Sequence, residues 1–365
     1  MAPEVSVYTT PPKALVEVLT KFRIPYSLPL IRRLRFTGFP GGCTQHTRIL
    51  WSSRLPVEEY PASHEAGAGA GARSSPGTEG EAGPVEEMIP FAAAYLDFSR
   101  EPETELWLYS SLEVTAAESD DIGVQEDREE EEEGRKIGAP GRARAEQGED
   151  EAFECLVALL REVKREQDLY FVPGSAQALA REFPTVLVGN LNEVLREHLV
   201  TRGVSIVSTG LYDKWIFRVD GLPPVREPAV LGGRPCLWDV VRREDIMLTI
   251  SRTNIQRRER TMKLLPSRAL YLEDGTLIAW AFLGPDSSLS SLHCEEPYRG
   301  RGIAKAVAVK LLRDRIREYG DDGYAWADVA PDNTQSQGVC KGLNGQVKWQ
   351  ISWSHLDLNQ SFPDE

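Results

Sequence analysis

Between Ser288 and Tyr319 the chain passes from a strand, through a glycine-containing turn, straight into a long amphipathic helix, and no other stretch restricts its folding as much. Ser288 to His293 reads as the strand. Gly302 to Tyr319 reads as the helix, with Ala304, Ala308, Leu311, Leu312, Ile316 and Tyr319 on one side and Lys310, Arg313, Asp314 and Arg317 on the other. Gly320 stops it. The first amides of any helix lack an internal acceptor, and the aligned peptide dipoles make that end positive. Gly300 and Gly302 carry no Cβ, so backbone can approach a ligand closely, and Arg299, Arg301 and Lys305 add positive charge. A junction built this way is a site for a pyrophosphate. It is not a P-loop, since no Gly-x4-Gly-Lys-Ser/Thr occurs. Nor is it the dinucleotide fingerprint, since Gly300-x-Gly302 is followed by Lys305 where that motif needs glycine.

The elements around the junction predict a mixed sheet. Arg268 to Leu272 and Leu277 to Leu283 read as strands joined across Glu273-Asp274-Gly275, and Asp-Gly between two apolar runs is a strong hairpin signal. Tyr324 to Val329 and Gln346 to Trp353 read as further strands, Asp245 to Met262 and Asn333 to Lys341 as helices. Gly221-Leu222-Pro223-Pro224 breaks the chain and sets the expected boundary between a first half, residues 1–225, and a second half, residues 228–365. In the first half, strands are expected at Arg48 to Trp51, Phe91 to Phe98, Thr104 to Ser110, Val204 to Val207 and Lys214 to Val219. Helices are expected at Glu151 to Arg165 and Asn190 to Val200. Two insertions interrupt this half. Residues 62–87 are Gly, Ala, Ser, Pro and Glu with almost nothing to bury, and residues 116–150 are charged, with an unbroken acidic block from Glu129 to Glu133. Both are expected to be disordered surface segments.

Arg299-Gly300-Arg301-Gly302-Ile303-Ala304 resembles the Q/R-x-x-G-x-G/A signature of the GNAT (Gcn5-related N-acetyltransferase) superfamily, where it follows the fourth strand and opens the helix that binds coenzyme A. The order of elements over residues 228–356 resembles that family as well. The Pro297-Tyr298-Arg299-Gly300-Arg301-Gly302 run behind a Ser-Leu-His strand is most similar to the FR47-like and glycine N-acyltransferase-like branch, in which an N-terminal half also precedes the catalytic one. The resemblance implies an α/β (α+β) fold: a mixed, mostly antiparallel sheet flanked by helices, with a V-shaped opening between two central parallel strands. It implies acetyl-CoA, or another acyl-CoA, as co-substrate, held by Cys294 (through its backbone), Arg299, Gly300, Arg301, Gly302, Ile303, Ala304 and Lys305. Asn333 and Ser336 join that set, because Asn333-Thr334-Gln335-Ser336 looks like the family's N-x-x-S/A segment. The implied reaction is transfer of the acyl group to an amine of a small molecule or amino acid.

An amine must lose a proton before it attacks a thioester. His293, Glu295 and Glu296, at the end of the signature strand, are the groups positioned to take it, directly or through water. A main-chain amide around Cys294 is the expected partner of the oxygen that gains negative charge. Many family members carry a Tyr as acid in the helix after the Asn; counting from Asn333, Cys340 stands in that place, and the usual Gly-Phe is Asn344-Gly345. The departure keeps a second reading open, a degenerate member that binds coenzyme without turnover. A third reading, from another class, is an interaction protein that recruits a basic partner through its acidic run.

Composition narrows the field further. A net charge of -14 disfavours nucleic acid as a partner. The longest apolar stretches are strand-sized, so no membrane span is expected, and the start Met1-Ala2-Pro3-Glu4-Val5 reads as neither signal nor transit peptide, which points to an intracellular protein, cytoplasmic or nuclear. Cys43, Cys155, Cys236, Cys294 and Cys340 are scattered, with no CxxC pair, so no metal site is expected.

Overall fold

The structure, a computed structural model, describes residues 2–22, 24–61, 89–113, 139–253 and 255–363. The insertion expected at residues 62–87 lies outside these, as does the part of the second insertion up to residue 138. The remainder of that second stretch is helical. Its Ala, Arg, Glu and Gln residues are good helix formers, and charge alone does not prevent a solvated helix.

The first half opens with Glu4–Tyr8 (β1), Lys13–Phe22 (α1) and Leu28–Phe36 (α2). Arg48–Ser53 (β2), Phe91–Leu96 (β3) and Leu106–Ser110 (β4) continue an antiparallel run from β1. Ala139–Tyr170 (α3) covers one face of this run, burying Leu156, Leu159 and Val163 against Leu50, Ala94 and Leu108. The other face buries Trp51, Tyr95 and Trp107 against Leu15, Val18 and Ile31 of α1 and α2. With both faces covered, β3 and β4 show no alternation of exposure, which explains their uninterrupted apolar sequences. After the short helix Ala176–Ala180 (α4), Val186–Asn192 (β5) runs parallel to β4. The two pair at Leu106 with Val188 and Trp107 with Gly189, and then part. Glu193–Thr201 (α5) follows, so the helix expected from Asn190 begins three residues later: Asn190 to Asn192 belong to the strand, and Asn192 caps the helix through its side chain. Ile206–Arg218 (β6) is one strand where two were expected.

The second half begins with Val230–Leu231 (β7) and Arg234–Asp239 (β8). The single helix expected from Asp245 to Met262 is two short ones, Ile246–Ser251 (α6) and Glu259–Met262 (α7), separated by an irregular arginine-rich stretch. Ser267–Leu272 (β9), Leu277–Leu283 (β10) and Leu289–Cys294 (β11) complete an antiparallel sheet in the order β11-β10-β9-β8-β7. Ile303–Arg315 (α8) lies on its face, burying Val307, Leu311 and Leu312 with Ala279, Ala281 and Leu283. Tyr324–Val329 (β12), Thr334–Gly342 (α9), Gln346–Leu356 (β13) and Leu358–Ser361 (α10) close the chain.

The last strands are exchanged between the halves. The larger sheet has the order β1-β2-β3-β4-β5-β13-β6-β12. β13, from the second half, lies between β5 and β6 of the first; β6 in turn lies between β13 and β12. β11 and β12 face each other across an opening with no ladder between them, the second-half counterpart of the parting of β4 from β5.

Candidate active site

The site is built at the end of β11. Against β10, Ala279 pairs with Cys294 and Trp280 with His293, but the next pair is Phe282 with Ser290, so Ser291 and Leu292 stand opposite Ala281 alone. Ser291 takes a φ of +51°. This is a β-bulge, which bends the strand and re-aims the residues after it. The amide of Glu295 donates to Ile278 O at 2.9 Å, across to β10. Successive amides along a strand point to opposite sides, so the Cys294 N–H is directed away from β10, into the opening toward β12.

A turn of 3-10 helix at Glu296–Tyr298 leads into the glycine turn. Gly300 and Gly302 both have φ of +74°, the left-handed region that a side chain disfavours, and a Cβ built on either would meet nothing within 4 Å. The turn is therefore open above the backbone. Gly302 caps α8 without a side chain, and the first internal bond runs from Ala306 N to Gly302 O at 3.0 Å. The amides of Ile303, Ala304 and Lys305 have no helical acceptor. A cavity of about 280 Å³ spreads from this turn, between Cys294 and Tyr298 on one side and Gln335 and Val339 of α9 on the other. Its lining contains Arg299, Gly300, Gly302, Ile303, Ala304 and Lys305. Arg299 bends back so that its Nε donates to Cys294 O at 2.8 Å.

Asn333 and Ser336 behave differently. The Asn333 side chain accepts from Ser336 N at 3.0 Å and caps α9, and neither residue lines the cavity. The face of α9 that does is Gln335, Gly338, Val339 and Gly342, a helical spacing legible in the sequence once the helix is placed.

Among the proton-handling candidates, His293 stacks on Trp280 with ring centroids 4.6 Å apart, and its Nε2 lies 3.7 Å from Glu295 Oε2. Burial lowers its pKa, Glu295 pulls the other way, and Arg299 and Arg252 add to the lowering, so the ring is neutral at neutral pH and free to accept a proton. Glu295 Oε1 accepts from Arg252 Nε at 3.1 Å, in the stretch just after α6. No feature of the sequence signalled Arg252, which the sheet brings over from 43 residues earlier. Glu296 sits exposed in the turn. Cys340, the buried residue of α9, faces the core shared with α8, and burial, with Asp328 adding to it, pushes its thiol up to about 12. It stays protonated but is a weak acid.

Two family models match the chain: residues 2–217 fit acyl-CoA N-acyltransferase verG N-terminal domain, and residues 269–354 fit FR47-like protein. No curated protein matches. Among solved structures, an X-ray structure of a Drosophila protein is 13% identical, covers 94% of this chain and 95% of its own, and superposes with a TM-score of 0.54, a likeness of fold. A tandem GNAT protein from the clavulanic acid biosynthesis pathway aligns over 99% of this chain and 100% of its own at 11% identity, with a TM-score of 0.44. A GCN5-related N-acetyltransferase from Kribbella flavida covers 72% of this chain and 86% of its own at 13% identity, with a TM-score of 0.39.

Proposed function

The chain belongs to the acyl-CoA N-acyltransferases of the GNAT superfamily, and on that premise we propose that its second half, residues 228–365, moves an acyl group, acetyl first among candidates, from acyl-CoA to the amine of a small molecule or amino acid. The observation that carries the reading is the left-handed Gly302 cap, which leaves three α8 amides unpaired over a cavity shared with α9. Those amides and the cationic side chains of Arg299 and Lys305, which line the cavity, fit the pyrophosphate of coenzyme A, whereas Arg301 lies outside the lining and donates to Pro297 O at 3.4 Å. The coenzyme supplies a thioester carbonyl; the protein supplies position and proton transfer. His293, neutral and beside Glu295, takes the proton from the attacking amine, while Arg252 fixes the Glu295 carboxylate. The Cys294 amide, aimed into the opening, stabilises the oxygen that gains charge.

A second reading has its own observation. Cys340, weakly acidic and enclosed, stands where an acid for the departing thiolate is expected, which favours a protein that binds coenzyme without turning it over. Calorimetry with acetyl-CoA on the wild type and Gly302→Asp separates these from no function at all. Saturable binding that the folded variant loses is expected, because the aspartate sets negative charge where the pyrophosphate belongs. An amine screen then follows CoA release, with His293→Gln as the control that keeps binding and loses turnover. A folded wild type that binds neither acetyl-CoA nor CoA sinks both readings; binding with no turnover on any amine leaves the second.

A further inference from the structure

A smaller cavity lies between the halves and shares no lining residue with the coenzyme cavity. Its volume is about 20 Å³, room for one occupant of roughly the size of a water molecule. The first half lines it with Arg33 of α2, Arg100 and Glu103 of the turn between β3 and β4, and Trp107 of β4. The second half adds Arg257, from the arginine-rich stretch between α6 and α7, and Thr261 of α7. Arg33 is 2% exposed, Trp107 6% and Arg100 9%. The Nε–H groups of Arg33, Arg100 and Arg257 and the indole N–H of Trp107 are all buried, and none has an acceptor among the described residues. The acceptors nearby are taken. Glu103 Oε1 accepts from Arg258 N at 3.1 Å, and its Oε2 accepts from Thr261 Oγ1 at 2.5 Å. Gly42 O already accepts from Arg33 Nη1 and Arg100 Nη2, each at 3.4 Å. Arg100 Nε has Asp97 Oδ2 at 3.4 Å, too poorly aimed for a hydrogen bond, and neither Arg33 nor Arg257 has an ion-pair partner among the described residues. The Tyr95 ring, its centroid 3.5 Å from the Arg33 guanidinium carbon, covers one face of that group but gives its Nε–H no acceptor.

We propose that this cavity binds a halide-sized monovalent anion, chloride, which ties α2 and β4 of the first half to the stretch before α7 in the second. The site does not depend on acyl-CoA binding. Four buried donors without acceptors, around one small space, call for an occupant that only accepts. Water fits poorly, because its own two hydrogens would then need acceptors that Glu103 and Gly42 no longer offer. A halide has no hydrogens to place. Its charge also answers the guanidiniums, which stay protonated inside proteins, and buried charge without a counter-charge is costly. Burial lowers the Arg33 pKa, with Tyr95, Asp97 and Tyr319 opposing and Arg100 adding to the lowering. Burial lowers that of Arg257 as well, against Glu103 and Asp286. Larger anions such as phosphate or a carboxylate exceed the space. Arg257 carries the effect of the ion outward: its Nη2 donates to Ser290 Oγ at 3.2 Å, on β11 just before the bulge.

Thermal melts of the full chain in sodium chloride, sodium bromide and sodium gluconate at matched ionic strength test this, gluconate being too large for the cavity. Chloride and bromide should each raise the wild-type melting temperature saturably, by about 3 °C over gluconate. Arg257→Met removes one donor and one charge while keeping a long unbranched side chain, and this variant should melt at the same temperature in all three salts. Equal wild-type melts in the three salts overturn the proposal. So does a variant with wild-type circular dichroism that keeps the full halide shift, since the halide then binds elsewhere. If the variant does not fold, anomalous scattering from wild-type crystals grown in bromide decides. A bromide peak among Arg33, Arg100 and Arg257 is expected, and a cavity that holds only water, or nothing, overturns the assignment.

Discussion

Glu113 follows β4 into the interior, where Ser110 N donates to its Oε1 at 3.2 Å and Asn192 and Lys214 stand nearby. Burial outweighs those partners and raises its carboxyl from 4.5 to about 8. The folded state therefore holds a proton that the unfolded chain releases above pH 4.5, so this group's contribution is fully present below that value and is lost as pH rises through about 8. Glu113→Gln keeps the shape without the ionisation. Its melting temperature relative to wild type should climb between those limits and level off above them, reaching on the order of 3 kcal/mol in stability. Thermal melts across the range check this, and a difference that is flat with pH defeats it. Nothing local announced Glu113, because a glutamate beside a charged stretch reads as solvated until a fold encloses it. The residues of the glycine turn were legible for the opposite reason: the conformation, the open backbone and the helix start are all set within six positions. His293 was half legible. Its place at the strand end could be read, but its face depended on the bulge at Ser291, which alternation does not foresee.

At the scale of elements, legibility follows where the pairing information lies. β10 and β12 match their expected limits to the residue, since a turn or glycine brackets each apolar run. β6 does not. Ser208, Thr209 and Gly210 have no strand pattern, and they are extended because β13 pairs with them from Trp353 to His355. That dependence has a testable consequence. Among the described residues β6 is hydrogen-bonded as a strand only to β13 and β12, both from beyond residue 225, and β5 has β13 as its partner on the side away from β4. A fragment of residues 1–225 thus carries a 13-residue strand with no neighbour and an exposed flank on β5. Expressed alone, it should fail to give a dispersed amide spectrum or a cooperative melt, although its own family model covers residues 2–217. A monomeric, cooperatively folded fragment would show that strand exchange is dispensable to the first half.

For the whole molecule, exchange of strands places elements of both halves in one sheet, and a buried ion pair crosses between them. Arg32 of α2 is fully buried; it pairs with Asp322 just before β12 and donates to Ile316 O at 3.1 Å and Tyr324 O at 3.2 Å. Phe36, Trp215 and Phe217 of the first half share a core with Leu270, Tyr319 and Leu343 of the second. The boundary at Gly221 to Pro224 is thus a turn in the chain without a corresponding gap in the structure, and its sequence could not reveal that, since long-range pairing leaves no local mark. Arg32→Ala leaves the Asp322 carboxylate enclosed with Arg35 Nη1 at 3.7 Å as its nearest charge, and orphaning one partner of a buried pair costs about 3–5 kcal/mol. If the halves unfold together, native-state hydrogen exchange should quicken equally in Phe91–Leu96 and in Leu277–Leu283, by about a hundredfold or more. Mass spectrometry of peptides from the two strands reads both at once. Acceleration confined to the second strand would mean that the first half opens on its own, and that strand exchange joins the sheets without joining their stabilities.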